Sequence, residues 1–508
     1  MLKNGFSIKA EKNFTDHYEK STSLPLLSCR SLLQRFLIVL PLEKRKLSQA
    51  GNDVQKIVSF GAGETLARVL NWGLMALLPL LLTSTEEYGR VGLIVSIEVL
   101  VANISLMGLD RVVLRFYSND EYHGKLLKSI FAIWASFAWI PLVAASVLYF
   151  IGFKTLFGIP LVPHLFLLSV IVAIYNLNFL CVCIGRAKRD LSIFLRFRLS
   201  YMILKFICVL FLAKLVGHSF SYVLGIGLSA FIMLLFIVPF LKKISIGQVD
   251  KVVVGQLLIF GWPFVLHLIS GNILSYFSRF FLEFYNSTKD VGIFTFAFTL
   301  GSSLYVAYAV LSTYFEPRIY SYADDKLRGE KWLFFYTNAC IALSSVGGVL
   351  LLFLYPYLTP HLNTDFYRAL PTISMLMGTI LLTPLYLQGN YRLTSHKKTG
   401  YIAAASFISA FLSIGLNFLL IPRYGIWGAA MAMYISNFFL CAFILIISLR
   451  VSKIPLYQQS SFPTYLMCTF GSMSVLVWAN KPEFAILGLL TVCMTSSAFL
   501  LKSFSTPK

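Results

Sequence analysis

Residues 220–240 read FSYVLGIGLSAFIMLLFIVPF: 21 positions without a single charged side chain. At 1.5 Å per residue a helix of that length spans about 31 Å, the thickness of a bilayer's hydrocarbon core. Within lipid only a helix satisfies its backbone polar groups without partners from elsewhere in the chain. Working outward from this run, the same criterion marks fourteen candidate spans. They lie near 58–82, 91–110, 129–150, 163–184, 199–216, 220–240, 255–278, 291–315, 333–354, 370–390, 400–420, 426–448, 462–479 and 484–501. The whole chain of 508 residues is 57% hydrophobic and 13% charged, about half the charge of a soluble domain. Disordered, collagen-like and disulfide-scaffold classes are excluded by the same figures. Seven of the eight cysteines fall in apolar runs, and Cys181-Val-Cys183 lacks the spacing of a zinc or redox motif.

The formal charge of +21, from 43 Lys+Arg against 22 Asp+Glu, would suit a nucleic-acid binder, but its distribution points elsewhere. With span-end residues counted in the adjoining loop, 33 basic residues fall in the two tails and every second loop. Eight fall in the opposite loops, and only Arg68 and Lys205 lie within spans. That bias orients a multi-pass membrane protein with both termini in the cytoplasm. It implies a lipid bilayer as partner and no nucleic acid. The expected division is a basic tail over 1–56, an N-lobe of spans 1–6 over 57–243, a C-lobe of spans 7–12 over 252–450, and a helix pair with a short tail over 451–508. Within the first tail, Leu32–Leu42 is too short to span and reads as an interfacial segment or as disorder.

The two lobes are expected because the chain resembles itself at a shift of 203 residues. Ser84-Thr85-Glu86-Glu87-Tyr88-Gly89 aligns with Ser287-Thr288-Lys289-Asp290-Val291-Gly292. Arg115, Tyr117 and Ser118 align with Arg318, Tyr320 and Ser321, and Lys125 and Lys128 with Arg328 and Lys331. Six spans separate the copies, so both enter the membrane in the same direction, giving a parallel repeat about an axis along the membrane normal. The fold expected is all-α: two six-helix lobes around a central cavity, plus two C-terminal helices.

No phosphate loop, metalloprotease motif, nucleophile elbow or calcium loop occurs, so neither an enzyme nor an ATP-driven pump is expected. No catalytic residue, metal or cofactor is assigned. What stands out is charge inside spans, where each charged group costs about 2.5–3.5 kcal/mol on insertion scales. Glu64 and Arg68 share a face of span 1 at i,i+4, with Asn71 following. Span 2 carries Glu98 and Asn103, and span 7 carries His267, Asn272 and, at its end, Arg279. These eight are the candidate cavity residues. Plainer readings exist for four of them: Glu64–Arg68 as a packing pair, His267 as a packing residue, Arg279 as an interfacial anchor. Lys205 reads as a snorkelling side chain, and Tyr305, Tyr308 and Tyr314 as packing.

Three segments also resemble a known family. These are Glu87-Tyr88-Gly89 through Gly108-Leu109 to Arg115-Phe116-Tyr117, then Arg279-Phe280-Phe281-Leu282 with Val291-Gly292-Ile293-Phe294, and Leu416-Asn417-Phe418-Leu419-Leu420-Ile421-Pro422-Arg423-Tyr424-Gly425-Ile426-Trp427-Gly428-Ala429-Ala430. In order and spacing, over about 57–450, the chain is similar to polysaccharide-transporter flippases of the multidrug/oligosaccharidyl-lipid/polysaccharide exporter superfamily. The resemblance implies two six-helix lobes plus two helices and the flipping of undecaprenyl-pyrophosphate-linked sugar units for O-antigen or capsule. Polysaccharide polymerase or ligase machinery would then be a partner. Ser278 stands where the family often has Asp. On this reading Arg68 and Arg279 are diphosphate ligands, Glu64 and Glu98 position arginines or bind a coupling cation, and Asn71, Asn103, Asn272 and His267 meet sugar hydroxyls. The alternatives are a cation-coupled multidrug antiporter, which would want a net acidic cavity, and a peptidoglycan-precursor flippase.

Overall fold

A computed structural model describes residues 44–117, 125–244, 249–306, 326–358, 362–396 and 398–452, with isolated positions at 308, 311, 312, 315, 319 and 360 and within 486–494. The chain divides into two compact units, Met1–Gln55 and Lys56–Lys508; the geometry below belongs to the second. The interfacial segment 32–42, span 13 and most of span 14, Tyr314, and the repeat partners Ser118, Arg318, Tyr320 and Ser321 lie outside the described residues.

The described chain is almost wholly helical: α1 (Lys44–Leu77), α2 (Thr85–Leu106), α3 (Leu109–Phe116), α4 (Leu126–Phe137), α5 (Ile140–Phe150), α6 (Phe166–Ala187), α7 (Leu191–Val216) and α8 (Phe220–Ile244), then α9 (Lys251–Tyr285), α10 (Thr288–Ser302), α11 (Lys326–Leu358), α12 (Leu370–Leu381), α13 (Thr383–Ser395), α14 (Thr399–Tyr424) and α15 (Ile426–Ser452). Ten helical stretches are long and apolar enough to cross a membrane, and they match expected spans 2–7 and 9–12. Span 1 is the second half of α1, and span 8 opens with α10. Side chains such as Phe150, Leu235, Ile259 and Phe284 stand exposed on the outside, as lipid-facing positions should and as a soluble surface rarely allows.

The repeat is visible in the fold. Ser84 and Ser287 have the same extended backbone and cap α2 and α10 identically, their side chains accepting from the backbone N–H of Glu87 and Asp290, each at 3.2 Å. The two helices then cross. A Cβ on Gly89 would overlap the Thr288 carbonyl and lie 2.9 Å from the Gly292 nitrogen. One on Gly292 would overlap the Thr85 carbonyl and lie 3.2 Å from the Gly89 nitrogen. Gly89–Thr288 and Gly292–Thr85 are the same contact seen from either copy, as an isologous interface requires. Gly92 faces its own repeat partner Thr295 in the same way. The pseudo-two-fold axis therefore passes between α2 and α10.

At this end of the bundle, hereafter the Ser84/Ser287 end, further contacts join the lobes. Thr85 Oγ1 donates across to Asp365 Oδ2 at 3.1 Å, while within the C-lobe Lys289 Nζ pairs with the same carboxylate at 2.7 Å. Strands β1 (Thr155–Leu156) and β2 (Ile159–Pro160) form an antiparallel hairpin. Its turn lays Phe157 against Phe280, 4.4 Å between ring centroids, and brings Gly158 onto Glu283. The loop at 151–162, unremarkable in the sequence, thus serves as a strap from the N-lobe onto the end of α9.

Candidate functional site

Below the α2–α10 crossing lies a cavity of about 590 Å³ bounded by α1, α2, α6, α7, α8, α9 and α10. Among the described residues its charged lining consists of Arg68, Arg198, Lys205 and Arg279 against Glu98 alone. Four cations and one anion give a net +3. The rest of the wall mixes amides and aromatics, including Asn71, Asn103, Asn176, Tyr175, Trp72 and Tyr276. That is a surface suited to an anion attached to something both polar and flat.

Arg279 is its most buried charge, 2% exposed. Its Nε donates to Thr295 Oγ1 at 3.1 Å and its Nη1 to Ser96 Oγ at 3.3 Å, so both lobes hold it. The guanidinium lies 5.0 Å from the Tyr276 ring centroid and 4.8 Å from that of Phe298, contacts worth about 2 kcal/mol when desolvated. Among the described residues no carboxylate lies within ion-pairing distance of it. Ser278, where a neighbouring Asp would have supplied one, is itself buried. The interfacial-anchor reading of Arg279 is therefore replaced by a buried cation held on hydroxyls and ring faces, with guanidinium N–H groups to spare.

Arg68 and Arg198 are organised by Glu64. Arg198 binds that carboxylate with two bonds, Nη2 to Oε1 at 2.9 Å and Nε to Oε2 at 3.0 Å. Arg186 Nη2 adds a contact at 2.8 Å and Arg68 Nε a longer one at 3.4 Å. The i,i+4 pair expected on α1 exists, but as the weakest member of a four-residue cluster from α1, α6 and α7. Glu64 does not line the cavity; it sits behind the wall and orients the arginines that do. Since one carboxylate faces three guanidiniums, the cluster keeps a net positive charge. Arg68, half exposed, projects from it into the cavity.

Opposite them, Lys205 is 7% exposed and does not snorkel. Its Nζ lies 3.5 Å from Glu98 Oε1 and 5.4 Å from the Tyr222 ring, while Tyr222 Oη donates to Glu98 Oε2 at 2.8 Å. Removing one member of a buried pair costs about 3–5 kcal/mol, because the other charge is stranded. Lys205→Met or Glu98→Gln alone is accordingly expected to lower the melting temperature and expression of the purified protein. The double substitution should recover most of that loss, and a double-mutant cycle showing simple additivity would contradict the pairing.

Of the eight residues expected here, Arg68, Asn71, Glu98, Asn103 and Arg279 line the cavity. Glu64 stands behind it, and His267 and Asn272 lie outside it. His267 is twelve positions before Arg279, about 120° around the helix. Asn272 shares the Arg279 stripe, but the lining of α9 begins only at Ser275. Both keep a buried nitrogen without a partner, Nδ1 of His267 and Nδ2 of Asn272. Tyr308 packs as expected, donating to the Ile380 carbonyl at 3.0 Å, whereas Tyr305 reaches the cavity. Arg198 was hidden by a boundary. With span 5 begun at residue 199 it counts among the loop charges that set topology, yet the helix starts at Leu191 on an Asp190 cap. The available signal was spacing, since Arg198 and Lys205 are seven apart and share a face.

Residues 54–322 match the family described as polysaccharide biosynthesis protein. The chain belongs to this family. Several solved structures of low sequence identity share the fold. A lipid II flippase, MurJ, in an inward closed conformation matches with a TM-score of 0.61 at 16% identity, over 88% of this chain and 99% of that one. The MATE multidrug transporter DinF-BH matches at 0.57 and 11%, over 79% and 97%. An inward-facing MATE family transporter of the MOP superfamily matches at 0.56 and 15%, over 76% and 94%. A search of the curated proteins finds no match. The chain is thus a multi-pass, all-α membrane protein of transporter fold with two parallel-repeat lobes around a cavity and about fourteen helices.

Proposed function

We propose that this member of the polysaccharide biosynthesis family is a secondary flippase. It moves undecaprenyl-pyrophosphate-linked oligosaccharide units from the cytoplasmic to the outer leaflet of the inner membrane, for O-antigen or capsule assembly. The observation carrying the proposal is the net +3 lining of the cavity. A transporter of organic cations would need a free carboxylate there, and Glu98 is already engaged by Lys205 and Tyr222.

The roles follow from the contacts. Arg279 binds the diphosphate through the guanidinium N–H groups that Thr295 and Ser96 leave free, Arg198 adds the Nη1 edge left over by Glu64, and Arg68 takes the remaining negative charge. Asn71, Asn103 and Asn176 meet sugar hydroxyls, and Trp72, Tyr175 and Tyr276 offer ring faces to sugars. The polyprenyl tail stays in lipid. With both termini cytoplasmic, the Ser84/Ser287 end faces outward, and the lobes, over 57–243 and 252–450, rock about the α2–α10 crossing. A membrane potential negative inside favours outward passage of an anionic headgroup by about 2.3 kcal/mol per charge per 100 mV. Delivery on the outer face would be to a polysaccharide polymerase or ligase.

Deletion of the gene should remove surface polysaccharide and leave lipid-linked units in the inner leaflet. Wild type, but not Arg198→Ala expressed at equal level, should restore the polymer. Restoration of peptidoglycan-precursor flipping in place of surface glycan would instead select the precursor-flippase alternative.

A further inference from the structure

A second cavity, of about 330 Å³, lies at the Ser84/Ser287 end of the C-lobe, apart from the central one. Three elements meet there: the start of α10, the short 3-10 turn Thr364–Ala369 leading to α12, and the α14–α15 turn at Tyr424-Gly425-Ile426. Its lining includes Asn286, Asp290, Arg368, Thr372, Tyr424 and Trp427. None of these is used by the central cavity.

Pseudo-symmetry shows what is unusual. In the N-lobe the corresponding turn is bonded directly to the helix start. Thr83 bonds the carbonyl of Gly217 at the α7–α8 turn through both its N–H (3.0 Å) and its Oγ1 (3.1 Å), and Glu87 accepts from the Ser219 N–H at 2.6 Å. At the shift of 203, Thr83 becomes Asn286 and Glu87 becomes Asp290. Asn286 still approaches the turn glycine, its Nδ2 lying 3.2 Å from where a Gly425 Cβ would be. Asp290, one methylene shorter than Glu87, meets Arg368 at 3.9 Å. Where the N-lobe has a directly bonded turn, the C-lobe has a chamber.

The chamber's chemistry selects its occupant. Thr372 is completely buried, lines the chamber, and its Oγ1 has no hydrogen-bond partner; such a group costs about 1–3 kcal/mol unless something bonds it. The charges of Asp290 and Arg368 offset one another, which disfavours an ion. Tyr424 and Trp427 offer an aromatic wall, and the volume lies at the low end of small-ligand sites. We propose that this chamber is a binding site for one neutral sugar ring. The rings of Tyr424 and Trp427 take its apolar face, and Asp290, Arg368, Asn286 and Thr372 take its hydroxyls. That the ring belongs to the exported glycan, held at the outer face after the diphosphate leaves the central cavity, rests on the flippase reading; the site itself does not.

Calorimetry on the full chain in lipid nanodiscs, titrated with methyl glucoside, methyl galactoside, rhamnose and N-acetylglucosamine, tests it without any lipid carrier. Saturable binding of at least one is expected. Tyr424→Ala and Thr372→Val, the former on an exposed residue and the latter nearly isosteric, should each weaken it by about tenfold, and Leu235→Ala, on the lipid-facing outside, should not change it. No saturable binding to any of the four, or equal binding by wild type and both variants, would overturn the proposal. Preference for N-acetylneuraminic acid over all four would overturn its neutral-ligand part. Because the probes are free sugars, sugar binding in a protein whose deletion leaves surface glycan intact would separate failure of the flippase reading from failure of this one.

Discussion

Arg279→Ala is expected to abolish the production of surface polysaccharide, and Arg279→Lys not to rescue it, with both proteins reaching the membrane. The guanidinium is held by Thr295 from one lobe and Ser96 from the other, and by two ring faces, while no described carboxylate neutralises it. A charge-assisted hydrogen bond contributes about 1.5–3 kcal/mol, so losing two of them to a diphosphate should weaken headgroup binding by about 100-fold or more. Lysine supplies the charge but neither the fork nor the stacking plane. Surface polysaccharide measured against membrane protein level reads the outcome. Normal polymer from Arg279→Ala would remove the residue from the site. Folding is a lesser concern than the burial suggests, since alanine removes an uncompensated cation rather than one half of a pair.

Gly89→Val is expected to open the Ser84/Ser287 end. A Cβ at residue 89 collides with the Thr288 carbonyl, and the atom it meets is backbone, so no side-chain adjustment relieves the clash. The α2–α10 crossing must part. If the lobes rock about that crossing, the variant shifts toward the conformation in which this end is open. A cysteine at Thr299, whose Oγ1 lies 3.3 Å from Tyr88 Oη beneath the crossing, should then react with an impermeant maleimide added outside about tenfold faster, equivalent to about 1.4 kcal/mol of population shift. Gly292→Val should act alike, because the pseudo-two-fold axis makes the two contacts equivalent. Unchanged labelling in a folded Gly89→Val protein would show that the crossing is not where the lobes separate.

These two positions also show what could and could not be read from the chain. The equivalence of Gly89 and Gly292 was legible, since they occupy the same place in a repeated hexapeptide, but their contact across the axis was not, because a parallel repeat does not say which helices meet. Span positions were legible, a bilayer imposing length and composition that soluble packing does not. The site was legible only in part. Periodicity tells which residues share a face, so Arg68, Asn71, Glu98 and Arg279 were found. It does not give depth, so Asn272 was placed in a cavity whose α9 lining begins at Ser275. Nor does it give partners. Glu64 looked like one half of a pair, but its strongest contacts come from Arg198 and Arg186, which are 134 and 122 residues away in sequence. Both arginines had been counted as topological charge, since a boundary error of a few residues moves a helix-end side chain from membrane to loop.

The central claim is that the cavity recognises a lipid-borne diphosphate, and its most direct measurement is a binding comparison. Purified protein would be offered undecaprenyl diphosphate, undecaprenol and a cationic dye, each read by native mass spectrometry with wild type, Arg198→Ala and Arg279→Ala. The diphosphate should bind wild type with clear preference over the alcohol and the dye, and both substitutions should abolish that preference. Equal retention of alcohol and diphosphate, or selective retention of the dye, would contradict a cavity built for an anionic headgroup.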